Sequence, residues 1–96
     1  MPRNRIEGKV VAVDSFGNLV TSITREMLAD APRDDSVVIR CDEHETYNIF
    51  ASYADQPAMT LVAVLGPNNQ LELAIVDDSA KIMLGVDVGE AVEVRW

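Results

Sequence analysis

Apolar residues fall in short runs of four to six along this chain, and most of those runs are rich in β-branched side chains, which favours strands over long helices. Residues 10–13 (Val-Val-Ala-Val) and 19–23 (Leu-Val-Thr-Ser-Ile) flank Asp14-Ser15-Phe16-Gly17-Asn18, and this predicts a hairpin. Gly17 supplies the positive φ that a tight connection needs, and Asn18 tolerates a left-handed conformation better than most residues. A second hairpin is expected from 36–40 and 46–49, around an exposed acidic turn at Asp42-Glu43-His44-Glu45. A third pairs 60–65 with 71–76 through Gly66-Pro67-Asn68-Asn69-Gln70. These last two strands are nearly continuously apolar, as expected when a barrel wall is covered on its outer face by a helix or a neighbouring subunit. Period-two spacing assigns Leu71, Leu73 and Ile75 to the core and Glu72, Ala74 and Val76 to the other face.

Helix signals are few. Thr24 is placed to N-cap a short helix over 25–29, with Glu26 in its first turn and Pro32 stopping the chain beyond it. Ser79 can N-cap a helix over 80–84, and Gly85 sits at the position of a left-handed residue that ends it. Val92, Val94 and Trp96 then alternate with Glu93 and Arg95 in a last strand. The sum is a single mainly β domain over 1–96, a small antiparallel β-barrel with one or two short helices.

Composition narrows the function. A formal charge of −8 and an isoelectric point near 4.4 argue against nucleic acid as a partner, because few cations are available to displace condensed counterions. The acidic excess serves solubility and also tolerates a cationic ligand. Cys41 is the only cysteine, so no internal disulfide can form, and a cytoplasmic location is the simplest expectation. The polar start at 1–9 is unlike a signal peptide, and no apolar run approaches the roughly 20 residues needed to cross a bilayer, so no membrane is expected as a partner.

The candidate chemistry sits at the first hairpin. Asp14, Phe16 and Asn18 surround one glycine turn, and two readings are open. Asp14 and Asn18 can bond their own backbone as Asx turns while Phe16 lids the core, or the three can present a small polar-ligand site on the barrel rim. His44 with Asp42, Glu43, Glu45 and Cys41 lacks zinc-site spacing and reads as an exposed turn. Asp34-Asp35, Asp77-Asp78 and Asp87 lack the twelve-residue calcium pattern. There is no glycine-rich phosphate loop and no Gly-x-Ser-x-Gly elbow.

Asp14-x-Phe16-Gly17-Asn18-Leu19-x-Thr21-x-Ile23 resembles the C-terminal-domain signature of the S-adenosyl-L-methionine hydroxide adenosyltransferases, a family of adenosine-forming S-adenosylmethionine hydrolases related to fluorinases and chlorinases. Ser52-Tyr53-Ala54-Asp55 is similar to that domain's Thr-Tyr/Phe-Ala-Asp element. Leu71 to Val76, Ser79-Ala80 and Leu84-Gly85 resemble its Leu-Glu-Ile-Ala-Val strand and following helix, and Gly89 to Val94 its end strand. The four motifs occur in the family's order over nearly the whole chain.

The resemblance implies a β-barrel that completes a ligand site with an N-terminal catalytic domain, in cis or in trans, in a homotrimer. The full enzyme converts S-adenosylmethionine and water to adenosine and methionine. Carried over by residue, Asp14 would hold the methionine ammonium, Phe16 would wall the pocket, Asn18 would read an adenine edge and Tyr53 would stack on the base. The backbone near Asp77 would complete base recognition. No catalytic residue, metal or cofactor is expected in this chain, with S-adenosylmethionine as possible substrate. Pro67 stands where the family has a serine hydroxyl, Val76 and Ser22 stand where it has asparagine, and Asp77-Asp78 replace small residues, while Asn69 can supply the positive φ of a family glycine. The alternative is a free-standing, non-enzymatic barrel that binds a ligand or serves assembly.

Overall fold

The structure is a computed structural model that describes residues 4–52 and 56–96. Its strands are β1 (Arg5–Val13), β2 (Leu19–Thr24), β3 (Val38–Cys41), β4 (His44–Tyr47), β5 (Leu61–Leu65), β6 (Gln70–Ile75) and β7 (Ala91–Arg95), with one helix, α1 (Ala80–Leu84), before β7. All pairings between strands are antiparallel, in the order β4-β3-β7-β1-β2-β6-β5. The three expected hairpins are present, and β7 sits between β3 and β1.

β1 turns the corner of the barrel. Its first half, from Arg5 to Lys9, pairs with β7, whereas Val10 to Val13 pair with β2 across a register shift between Val10 and Ala12. Such a bulge bends the strand and increases its twist, which lets one strand belong to two walls. Thr21 manages a second shift, between β2 and β6. Its hydroxyl donates to the Leu71 carbonyl at 2.7 Å and accepts from the Ile23 amide at 3.2 Å, while the Gln70 side-chain amide donates to the Thr21 carbonyl. The sheet curls so far that β4 and β5 meet, where the Thr46 hydroxyl donates to the Leu61 carbonyl at 2.8 Å. The barrel is nearly closed.

Inside it, Val10, Leu19, Ile23, Ile39, Leu71, Leu73 and Val94 are buried in one cluster with Leu28, Ala80 and Val86. Leu71, Leu73 and Ile75 face this core as their spacing required. The opposite face of β5 and β6 is buried too, in a smaller cluster of Val62, Val64, Ala74 and Val76. Phe50 packs on that cluster and bonds along β5, donating to Ala63 and accepting from Leu65, so this chain's own segment after β4 contributes cover, where a helix or a neighbouring subunit was expected.

Three expectations need correction. Residues 25–29 form successive turns, not a helix: Leu28 N–H bonds both Thr24 and Arg25 carbonyls, and Ala29 and Ala31 bond three residues back. Leu28, fully buried, pins the turns to the core, and tertiary packing decides the backbone of so short a segment. The Thr24 hydroxyl still accepts from the Met27 amide as a cap would. The first strand begins at Arg5, because pairing with β7 organises a polar stretch that has little strand signal of its own. His44 and Glu45 lie in β4 and not in the turn, and His44 is half-buried with Nε2 3.1 Å from the Leu84 carbonyl oxygen.

Candidate functional site

The β1–β2 connection is a β-turn in which the Gly17 amide donates to the Asp14 carbonyl at 3.0 Å and the Asp14 amide to the Asn18 carbonyl at 3.1 Å. Gly17 has φ +83°, the conformation that this turn demands. Asp14 Oδ1 accepts from the amides of Phe16 (2.8 Å) and Asn18 (3.0 Å), so the Asx turn is formed. Its Oδ2 has no partner among the described residues.

This turn is docked on α1. Ser79 N-caps the helix, its hydroxyl accepting from Ile82, and Gly85 closes it with φ +70°. The next free amide of the first turn, Lys81 N–H, donates to the Gly17 carbonyl at 2.9 Å. One of the donors that a helix start leaves unpaired therefore fixes the hairpin tip. A Cβ at Gly17 would run into Ser79, so the contact also needs glycine's missing side chain.

Two grooves meet at this rim. The larger, about 680 Å³, is lined by Asp14, Phe16, Asn18, Val20, Arg25, Ser52, Val64, the Gly66 to Asn69 turn and Glu72. The smaller, about 330 Å³, is lined by Phe16, Asn18, Ile75, Asp77 and Asp78. Phe16 and Asn18 border both. The structure thus brings together Asp14, Phe16, Asn18 and Asp77 of the five expected site residues; Tyr53 lies outside the described residues. Phe16 is 74% exposed and does not lid the core. Asp77 is exposed with φ +64° at the end of β6.

Asn18 is the informative residue. Among the described residues, the buried polar side chains are Asn18, Thr21 and Thr46. Both threonines spend their hydroxyls on barrel carbonyls. Asn18 is only 5% exposed, yet its carboxamide makes no hydrogen bond to any described residue; the turn uses only its backbone. Its polar atoms are not sealed from solvent, so beside the two grooves the carboxamide is an accessible donor and acceptor.

Glu72 was not foreseen as a groove residue. It shares the outer face of β6 with Ala74 and Val76, but it lies where that face emerges beside Asp14 and over Gly66, where a Cβ would strike its carboxylate. Partial burial, and secondarily the Asp14 charge, raise its pKa above the usual carboxylate value. Of the departures from the family pattern, Pro67 and Asp77-Asp78 line the grooves, whereas Val76 belongs to the outer apolar cluster and the Ser22 hydroxyl accepts from the Lys9 amide. The ligand atoms of Asp42, Glu43 and His44 lie within 4.8 Å of one another, although the His44 ring is already engaged with Leu84.

Fold and rim together define a small antiparallel β-barrel domain with two open grooves beside its first hairpin. The chain belongs to the family described as the SAM hydroxide adenosyltransferase C-terminal domain, whose model matches residues 8–93. An uncharacterised conserved protein from Thermotoga maritima is similar at 27% identity and a TM-score of 0.81, over 98% of this chain and 38% of its own. A conserved hypothetical protein from Thermus thermophilus is similar at 28% identity and a TM-score of 0.74, over 92% of this chain and 34% of its own. The chain therefore spans little more than a third of these solved structures. No curated protein matches it. No helix among the described residues is long and apolar enough to cross a membrane.

Proposed function

We propose that this domain supplies the nucleoside-recognition half of an S-adenosylmethionine site, which a companion N-terminal catalytic domain, in cis or in trans, completes. The unspent carboxamide of Asn18, which borders both grooves, carries the reading. A carboxamide offers one donor and one acceptor in a plane, which suits the edge of adenine. Phe16 provides an apolar wall, Asp77 flanks the base from the smaller groove, and Tyr53 adds a stacking ring. Asp14 Oδ2 takes the ammonium of the methionine portion in a charge-assisted hydrogen bond.

The openness of the site supports a companion. Phe16 is 74% exposed and Ile82, on the helix that holds the Gly17 turn, is 76% exposed, which leaves large apolar surface at the rim for another domain or a neighbouring copy in a trimer to cover. The barrel's part in the reaction is orientation: it holds the nucleoside so that water can attack the ribose C5′ as methionine leaves. The groove side chains Asp14, Asn18 and Glu72 include no imidazole, and His44 is committed to Leu84 on another part of the barrel.

Titration of the purified chain with adenosine and S-adenosylmethionine, followed by amide chemical shifts, tests this. Saturable shifts at Asn18, Asp77 and the 14–17 turn are expected. Absence of shifts at millimolar ligand, both for the chain by itself and after mixing with a catalytic domain of the family, would leave the free-standing assembly module as the better reading.

A further inference from the structure

Two arginines of this acidic chain line one depression without a counter-ion. It has a volume of about 380 Å³, and Arg25 and Arg33 border it together with Asn48, Ile49, Phe50 and Leu65. Neither arginine enters an ion pair among the described residues. The acids beside them in sequence do not neutralise them. Asp34 spends Oδ1 on the amide and the hydroxyl of Ser36, and Glu26, Asp30 and Asp35 make no ion pair among the described residues. The 14–18 turn, the 66–69 turn and Glu72 do not line this depression, so it is distinct from the grooves at the first hairpin, although it adjoins the larger one at Arg25 and Leu65.

Both guanidinium groups are held in place and still have donors to give. Arg25 Nε donates to the Asn69 side-chain oxygen at 3.1 Å, and its backbone amide to the Asn69 carbonyl at 2.8 Å, which leaves both terminal nitrogens unused. Arg33 spends one terminal nitrogen on the Ala31 carbonyl at 3.3 Å. Asn48 Oδ1 accepts from the Ile49 amide at 2.7 Å, so its amino group remains as a further donor. No carboxylate side chain is among the lining. The apolar part is equally fixed: Ile49 is buried in the core, and the Phe50 backbone donates to Ala63 and accepts from Leu65.

Planar forks of charged donors suit the oxygens of a carboxylate or a phosphate. The depression is larger than such a group by itself, and Ile49, Phe50 and Leu65 offer a carbon skeleton an apolar surface. We infer that this depression binds a small organic anion, whose carboxylate or phosphate is taken by Arg25, Arg33 and the Asn48 amino group while its apolar body lies on Ile49, Phe50 and Leu65. The site is independent of the nucleoside reading. A chain with a net charge of −8 repels anions as a whole, so saturable binding of one marks a local site and not general attraction.

The test titrates the whole chain, at fixed low ionic strength, with phenyl phosphate, benzoate, inorganic phosphate and the uncharged benzyl alcohol, following backbone amide and arginine Nε–H chemical shifts. Saturable shifts at 49–51 and at Arg25 Nε–H are expected with both organic anions, more weakly with inorganic phosphate and least with benzyl alcohol. The tighter of the two organic anions identifies the anionic group. A charged contact of this kind is worth about tenfold in affinity. Arg33→Gln should weaken both organic anions about tenfold, Arg33→Lys should keep part of the binding, and Arg40→Gln, an exposed arginine elsewhere on the barrel, should change nothing. Adenosine shifts at Asn18 and Asp77 should be the same in Arg33→Gln as in wild type, which separates this site from the nucleoside site. No saturation by either organic anion, or equal losses in Arg33→Gln and Arg40→Gln, would overturn the proposal, as would benzyl alcohol binding as tightly as benzoate.

Discussion

The Gly17 carbonyl accepts the Lys81 amide at 2.9 Å, and this bond joins the tip of the first hairpin to the first turn of the helix 64 residues later. It fixes the hairpin tip at the rim. A two-strand connection would otherwise be free to move, but here one backbone bond, the Ser79 cap and the close approach of Gly17 to Ser79 hold Phe16 and Asn18 between two grooves.

Gly17→Ala should therefore cost more than loss of a flexible residue. The new Cβ meets Ser79 and the backbone keeps φ +83°, a combination expected to destabilise by about 2 kcal/mol. Denaturant unfolding measures it. The amide of Lys81 should also exchange faster with solvent.

Thr21→Val removes a hydroxyl that both donates to Leu71 and accepts from Ile23 within the core. Valine has nearly the same shape, so packing is kept while a buried carbonyl and amide lose their partner. A loss of about 1–3 kcal/mol is expected in the same assay. An unchanged midpoint would mean that the shift between β2 and β6 is held by packing alone.

Glu72 gives stability a pH dependence of known sign. Burial first, and Asp14 second, raise its folded pKa above its unfolded value, so its favourable contribution is complete below the unfolded pKa and is lost as pH rises through the folded one. Glu72→Gln should then be slightly more stable than wild type at neutral pH, and the gap should close as pH falls through the ordinary carboxylate range. Thermal unfolding of the two proteins across this range reads it directly.

Cys41 should be inert in the native state. It is buried, and burial, then Glu90 and Asp42, push its thiol up to about 11. Thiolate is the reacting form, so a thiol reagent near neutral pH should label Cys41 only when the chain unfolds. Rapid labelling of the folded protein would contradict the placement of β3.

Much of this fold is legible in the residues themselves. Ser79 and Gly85 mark both ends of α1 by their capping chemistry, and the alternation of Leu71, Leu73 and Ile75 gives the core face of β6. Gly17 marks the hairpin because few other residues take its conformation cheaply. Where local signals are weak, tertiary contacts decide. The turns at 25–30 look helical until Leu28 must enter the core, and Arg5 to Lys9 become a strand only through β7. Asp14 and Asn18 could be named from the turn, but the sequence could not separate their backbone duty from ligand duty. The structure assigns the turn bonds to Asp14 Oδ1 and to Asn18's backbone, leaving the Asn18 carboxamide unspent. Glu72 and Arg25 escaped notice because only the curl of the barrel brings β6 and the 25–30 turns to one groove.

Asn18→Ala tests the central claim most directly, because the side chain it removes makes no bond in the turn. Calorimetric titration with adenosine, alongside a denaturation curve, should show binding lost or weakened at least about tenfold while stability changes by no more than about 1 kcal/mol. Adenosine binding equal to wild type, or a fold that fails without the carboxamide, would contradict the account: the amide would then serve the barrel and not a ligand.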